Sequence, residues 1–92
     1  MHTVTAKKKK QLMTQAHSLH PVVMIGRNGL TDAVHAEIET ALTAHELIKI
    51  KVASHDRELR ISLFAEIAKQ HDAALVHKIG LIAIFYRPNE QA

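Results

Sequence analysis

The sequence predicts a single α/β domain, in which helices and strands follow one another as α-β-α-β-α-β-β around a mixed four-stranded sheet. The chain has 92 residues, which is close to the size of one average domain. Apolar residues recur at helical spacing in some segments, and in others they alternate or form short runs, as strands do. Hydrophobic residues make up 47% of the chain and aromatic residues only 3%, so the expected core is aliphatic. We therefore expect one domain over residues 1–92, with an ordered core from about 5 to 88.

The first helix and the first strand are expected near the N-terminus. Thr5 is a suitable N-cap for a helix that continues to Leu19, because apolar residues recur in this segment at spacings of three and four. Pro21 cannot continue that helix, and residues 22–25 form a continuous apolar run that is typical of a buried strand. The next four residues, 26–29, contain two glycines and are expected to form a turn.

The middle of the chain predicts a helix, a strand and another helix. Thr31 can cap a helix that runs to about His45, and Asp56 can cap a helix that runs to about Gln70. Between them, Leu47 to Ala53 alternates between apolar and polar residues. Lys49 and Lys51 fall on the polar side, so this strand is expected to have one buried face and one wet face.

The last two strands are expected to form a hairpin. Leu75 to Ile79 and Ile82 to Tyr86 flank Gly80, which can adopt the positive φ of a tight turn, and Pro88 ends the ordered part. Upstream, a strand, a helix and a strand within about 30 residues form a right-handed βαβ unit, so the first two strands are expected to be parallel.

The charge of the chain is concentrated at its N-terminal end. The net charge is +3, yet residues 1–31 contain five basic residues and no acidic ones, whereas from residue 32 onward nine acidic residues outnumber seven basic ones. A positive field concentrated on one part of a small domain favours a polyanion, and nucleic acid is the most common one.

The turn formed by Gly26, Arg27, Asn28 and Gly29 is the principal candidate site. It leads into the predicted helix at Thr31, where free backbone N–H groups and the helix dipole favour an anion. The glycines would let a phosphate backbone approach. Arg27 can donate two hydrogen bonds to phosphate oxygens, and Asn28 can hydrogen-bond to a sugar or a base edge. An ordinary β-to-α turn has the same pattern, so G-x-x-G alone is weak evidence for a site.

Further candidate contacts to RNA are basic residues elsewhere in the chain. The lysine run in the first helix opposes the helix dipole and has no acidic neighbours, although it could serve only solubility. Two lysines share one strand face, and a third would extend that stripe if the strand register allowed it. These candidates are Lys7, Lys8, Lys9, Lys10, Lys49, Lys51, Lys78 and Arg87.

Several other classes of protein are not expected. Only His17 and His20 have helical ligand spacing, without a third ligand beside them, so no metal site is predicted. No spacing supports a catalytic triad, a carboxylate pair or a nucleotide-binding motif, so neither catalysis nor a cofactor is expected. The chain has no cysteine, no apolar run of membrane-spanning length and no apolar N-terminal stretch, which is typical of a cytoplasmic protein without a membrane partner.

Four blocks in this order resemble the CRM domain, which is named for chloroplast RNA splicing and ribosome maturation, and in particular its stand-alone bacterial form. The blocks are the basic first helix, residues 21–31, residues 46–51, and residues 79–80 followed by 86–88, and the resemblance extends from about Thr5 to Pro88. It implies a fold similar to the C-terminal domain of bacterial translation initiation factor three. It also implies RNA binding through residues 26–29, as in KH domains, and through the basic residues of the first helix and second strand. Leu81 departs from the basic or polar residue that is expected in relatives.

The resemblance further implies association with ribosomal RNA in precursors of the large ribosomal subunit. The expected protein is thus a monomeric RNA-binding factor in ribosome assembly, with no enzymatic activity, cofactor or small-molecule substrate. The alternative is a protein-interaction module that docks on a ribosomal protein and whose basic surface serves solubility.

Overall fold

Three helices pack on the two faces of a four-stranded sheet in the computed structural model, which describes residues 4–89. The predicted order of elements and the α/β fold class are confirmed. The elements are α1 (Ala6–Ala16), β1 (Pro21–Ile25), α2 (Asp32–His45), β2 (Leu47–Val52), α3 (Arg57–Gln70), β3 (Ala74–Ile79) and β4 (Ile82–Tyr86).

The strands lie in the order β1-β2-β4-β3. β1 and β2 are parallel, as the βαβ argument predicted, and the other pairs are antiparallel. The backbone of Ala53 donates to Ile25, and that of Val52 donates to Leu81. The turn after β1, the segment after β2 and the β3–β4 hairpin therefore meet at one end of the strands. We call this end of the sheet, formed by residues 26–29, 53–56 and 80–81, the loop end.

All three predicted N-caps are confirmed. The hydroxyl oxygens of Thr5 and Thr31 accept hydrogen bonds from backbone N–H groups three residues ahead, at 3.1 and 3.2 Å. A carboxylate oxygen of Asp56 accepts one from the N–H of Leu59 at 3.2 Å. Since each cap satisfies a donor that has no partner within its helix, these residues fix where the helices begin.

The first helix is shorter than the sequence predicted. It ends at Ala16 rather than at Leu19, and the N–H of Leu19 donates to the carbonyl of Ala16 at 3.0 Å in a tight turn. The residue before Pro21 must be extended. Residues 17–20 are therefore needed to turn the chain from the helix into β1, so the prediction for this boundary was wrong by about one helical turn.

The main core lies between the sheet and the pair α2 and α3. It is aliphatic apart from two phenylalanines, whose ring centroids are 6.2 Å apart. Its buried members are Val23, Ile25, Ile38, Leu42, Ile48, Ile50, Val52, Phe64, Ile67, Ala73, Ala83 and Phe85. The sheet face that carries Ile48, Ile50 and Val52 is thus the buried one, as predicted.

The opposite face of the sheet is only partly exposed to solvent, because α1 covers part of it. Leu12 and Ala16 of α1 pack there with Leu47, Val76 and Ile84 in a second, smaller cluster. The sequence alternation around Lys49 did not reveal this cover, since the apolar stripe of α1 is narrow. We call this side face B; toward the loop end it is not covered by α1, and Met24 and Ile79 are exposed there.

The strand register also corrects the predicted lysine stripe. Lys78 pairs with Ala83, which pairs with Ile50, so these three residues lie on the face covered by α2 and α3. Lys51 pairs with Ile82 and lies on face B. Lys78 therefore does not extend the stripe of Lys49 and Lys51.

Among residues 4–89, no helix has the length and apolar character needed to cross a membrane.

Candidate nucleic-acid interface

The G-x-x-G turn stands exposed at the loop end. It is closed by a 3.1 Å hydrogen bond from the N–H of Gly29 to the carbonyl of Gly26. Gly29 has φ +69°, a conformation that other residues adopt only with strain. Gly26 does not have positive φ, and a Cβ built there meets no atom within 4 Å. The side chains of Arg27 and Asn28 are exposed between them, so a phosphate backbone has an open approach to the turn.

The N-terminus of α2 lies directly behind this turn. The N–H of Thr31, its cap, donates to the carbonyl of Gly29 at 3.1 Å, which ties the turn to the start of the helix. The positive end of the helix dipole thus adds to the charge of Arg27, while Asp32 in the first helical turn offsets part of it. The turn and the helix form the arrangement that commonly binds anions.

Lys51 supplies a second cation close to the loop end. It lies half-buried in a row on face B, between Met24 of β1 and Ile82 of β4. Met24 is 59% exposed and Ile79, the next residue in the row, is 66% exposed. The loop end of face B therefore combines a lysine with uncovered apolar side chains.

Lys49 takes a more internal position than predicted. Its ammonium group donates a 3.0 Å hydrogen bond to the carbonyl of Leu19, and the side chain is half-buried beneath the chain that follows α1. Lys49 thus anchors the connection between α1 and β1, a role that the strand alternation did not indicate.

On the α2 and α3 side, the predicted contact Lys78 lies near two arginines that the sequence analysis did not single out. Arg57, Arg60 and Lys78 line a cavity of about 170 Å³ beside Gly80. Arg60 is held there, since its guanidinium donates to the carbonyls of Gly80 at 3.1 Å and Ser54 at 2.9 Å. Arg57 and Arg60 are three residues apart and so share a helix face, but only the tertiary structure brings them to Lys78.

The lysine run of α1 lies away from the loop end. The ammonium of Lys8 is 5.4 Å from the centre of the Tyr86 ring, in a cation–π contact. Tyr86 is the last residue of β4, about 13 Å along the strand from Ile82 at a rise of roughly 3.3 Å per residue. Lys7, Lys9 and Lys10 are exposed on the same helix. The structure therefore separates two predicted contact regions, the turn and the lysine run.

Arg87 is committed to contacts within the protein. Its guanidinium donates to both carboxylate oxygens of Glu39, at 2.9 and 3.0 Å, and to the carbonyl of His71 at 3.0 Å. A longer bond of 3.3 Å reaches the hydroxyl of Thr43. Because its charge is neutralised by Glu39, the structure gives Arg87 a role in joining the chain after β4 to α2.

Glu39 also accepts a hydrogen bond from a buried histidine. Nδ1 of His71 lies 2.6 Å from the Glu39 carboxylate, and its Nε2 lies 2.8 Å from Nδ1 of His35. The hydrogen bond from Arg87, followed by that from His71, holds the pKa of Glu39 below its usual value, against a smaller opposing effect of burial. Both nitrogens of His71 are thus engaged, and among residues 4–89 no group of three or more His, Cys, Asp or Glu side chains is placed to hold a metal ion.

The lowered pKa of Glu39 predicts a pH-dependent contribution to stability. Above pH 4.5, the usual pKa, the charged carboxylate stabilises the folded state, and this contribution is lost as the pH falls through the lower pKa of the folded state. Glu39→Gln should reduce the free energy of unfolding at pH 7 by about 1 kcal/mol, a modest value because the carboxylate is half exposed. Urea unfolding at pH 7 and in acid would measure it.

In acid, the difference in free energy of unfolding between wild type and Glu39→Gln should disappear, because the wild-type carboxyl is then protonated and uncharged, like the glutamine side chain. Glu37→Gln, an exposed change on the same helix, is the control and should stay within about 0.5 kcal/mol of wild type at both pH values. An equal loss for both variants at pH 7 would contradict a specific role for the network.

Comparisons with known proteins place this chain in one family. The model of the CRS1 / YhbY (CRM) domain matches residues 4–87, so the chain belongs to this family. The predicted resemblance to the CRM domain is thereby confirmed.

Two curated relatives and one solved structure are similar over nearly their whole length. A protein of Haemophilus influenzae named "RNA-binding protein" is 51% identical over 100% of this chain and 93% of its own length. A protein of Pseudomonas aeruginosa named "Probable RNA-binding protein" is 44% identical over 94% of this chain and 83% of its own length. The solution structure of a hypothetical protein from Staphylococcus aureus superposes with a TM-score of 0.83 at 27% identity. The superposition covers 97% of this chain and 93% of that protein. Both relatives are named for RNA binding, and none of the three names describes an enzymatic activity.

Proposed function

We propose that this protein binds ribosomal RNA in precursors of the large ribosomal subunit and acts in ribosome assembly in the cytoplasm as a monomer. Family membership supports RNA as the partner, and the ribosomal target rests on the resemblance to the stand-alone bacterial CRM domain. The observation that carries the proposal is the exposed turn at residues 26–29, which ends the acid-free stretch of residues 1–31 and leads into the N-terminus of α2.

The proposed RNA contacts form two regions. At the loop end, the backbone of Gly26 and Gly29 approaches the phosphates, Arg27 and Lys51 neutralise them, and Asn28 orients the RNA. Lys78, with Arg57 and Arg60, adds positive charge near the loop end on the sheet face that α2 and α3 cover. Lys7 to Lys10 form the second region and would meet a more distant part of a structured RNA. Lys49 and Arg87 are left out, since each is bonded within the protein.

A second candidate is the protein-interaction module, docking on a ribosomal protein. Val22 and Met24 of β1 are 51% and 59% exposed on the edge strand of the sheet, and exposed apolar groups of this kind are typical of protein contacts. If this candidate is right, replacing Lys7 to Lys10 with glutamine, or adding a negative charge to the turn, should leave ribosome association intact.

Sedimentation of a cell lysate on a sucrose gradient tests the ribosomal assignment. The wild-type protein should migrate with the large-subunit precursor, and Gly26→Asp should remain at the top of the gradient. Gly26 is chosen because a side chain fits there without backbone strain, unlike at Gly29. Circular dichroism should first confirm that the variant folds.

Two results would count against the proposal. If the wild-type protein stays at the top of the gradient, the ribosomal target is wrong. If wild type and Gly26→Asp both migrate with the precursor, association does not depend on the turn, and docking on a ribosomal protein becomes the better explanation.

A further inference from the structure

A groove separates the G-x-x-G turn from α3. Its volume is about 420 Å³, within the range of pockets that hold small ligands. Residues 26–29 and 52–54 line it together with Leu59 and Leu63 of α3, whose side chains we call its aliphatic floor. The groove thus has a wall of polar backbone and an aliphatic floor, directly beside the proposed phosphate contacts.

Leu59 is unusual for its place in the helix. It lies in the first turn of α3, at helical spacing of four and eight residues from Leu63 and the buried Ile67, yet it is 45% exposed. Leu63, one turn further along, packs against the main core and is only half-buried. The groove therefore leaves uncovered a part of the helix that the sequence pattern assigns to the interior.

The groove has the chemistry that a single nucleobase requires. A base has apolar faces and polar edges, and both are accessible only when the base is unpaired. The aliphatic floor suits a face, the exposed carboxamide of Asn28 can pair with an edge, and Arg27 stands where the attached phosphate would lie. Since the floor is aliphatic rather than aromatic, stacking would be weak and sequence preference correspondingly low.

We propose that this groove, between the turn at residues 26–29 and the first turns of α3, holds one unpaired nucleotide of the bound RNA. The inference rests on the proposed function, because it requires RNA at the turn. It deepens that function by naming the form of RNA that binds best: a duplex interrupted by unpaired residues, with phosphates on the turn and a base on Leu59.

Fluorescence anisotropy with two RNA probes tests this inference. One probe is an RNA duplex with a run of unpaired uridines in one strand, and the other is the same duplex fully paired. Leu59→Ser should weaken binding of the interrupted duplex by about three- to tenfold, because the apolar contact is lost. Binding of the paired duplex should be unchanged. Val22→Ser is the matched control, since Val22 is 51% exposed, lies near the start of β1 and is not among the proposed RNA contacts.

The outcomes distinguish this inference from the proposed function. If wild type binds both probes and Leu59→Ser binds the interrupted duplex as wild type does, or loses affinity equally for both probes, the groove is not a base site and RNA binding still stands. If wild type binds neither probe, the proposed function fails as well. Crosslinking with 4-thiouridine in the unpaired run should label residues 26–29, 52–54 or 59–63, and labelling confined to other segments would overturn the inference.

Discussion

Gly26→Asp is expected to lower the affinity for RNA at least tenfold without unfolding the protein. The new carboxylate would stand beside the phosphates that Arg27 and the backbone contact, and repulsion between two charges about 4 Å apart costs roughly 1 kcal/mol in water and more at a protein surface. The fold should survive because a Cβ at this position meets no atom within 4 Å and the backbone φ is not positive. Fluorescence anisotropy with a labelled fragment of ribosomal RNA would measure the affinity.

Gly26→Asn is the matched control, because asparagine has nearly the same shape as aspartate without the charge. It should lose clearly less affinity, and an equal loss in both variants would indicate that bulk rather than charge is responsible. If the wild-type protein contacts about four to six phosphates, the slope of log affinity against log salt should be roughly −3 to −5. A flat salt response would contradict phosphate binding.

Phe85→Ala is expected to have the largest effect on stability. Phe85 is fully buried in β4, which lies between β2 and β3, and its ring packs near that of Phe64. Removing the ring should lower the free energy of unfolding by about 3–5 kcal/mol, since both transfer energy and packing are lost. Domains of this size are stable by only about 5–15 kcal/mol, so much of the stability would disappear.

Chemical denaturation followed by circular dichroism would measure this loss. Ile79→Ala on the same sheet is the control: Ile79 is 66% exposed and should change stability by about 0.5 kcal/mol or less. A loss below about 1 kcal/mol for Phe85→Ala would show that the two aromatic rings are not central to the core.

Local chemistry in the sequence determined the elements and their order. The caps at Thr5, Thr31 and Asp56 were predictable because each satisfies backbone donors a few residues away. The parallel pairing of β1 and β2 followed from the short helical connection between them. The turn at residues 26–29 could likewise be placed at a helix N-terminus, because chain connectivity alone puts it there.

Only the tertiary structure decided which side chains meet across the fold. The cover of face B by α1, the position of Lys78 on the opposite face from Lys51, and the engagement of Arg87 by Glu39 all join residues far apart in the chain. The groove at Leu59 has the same origin, since it exists only between α3 and the turn. Periodicity assigns a residue to a face of its own element. Packing and register, which depend on all elements together, decide what that face touches.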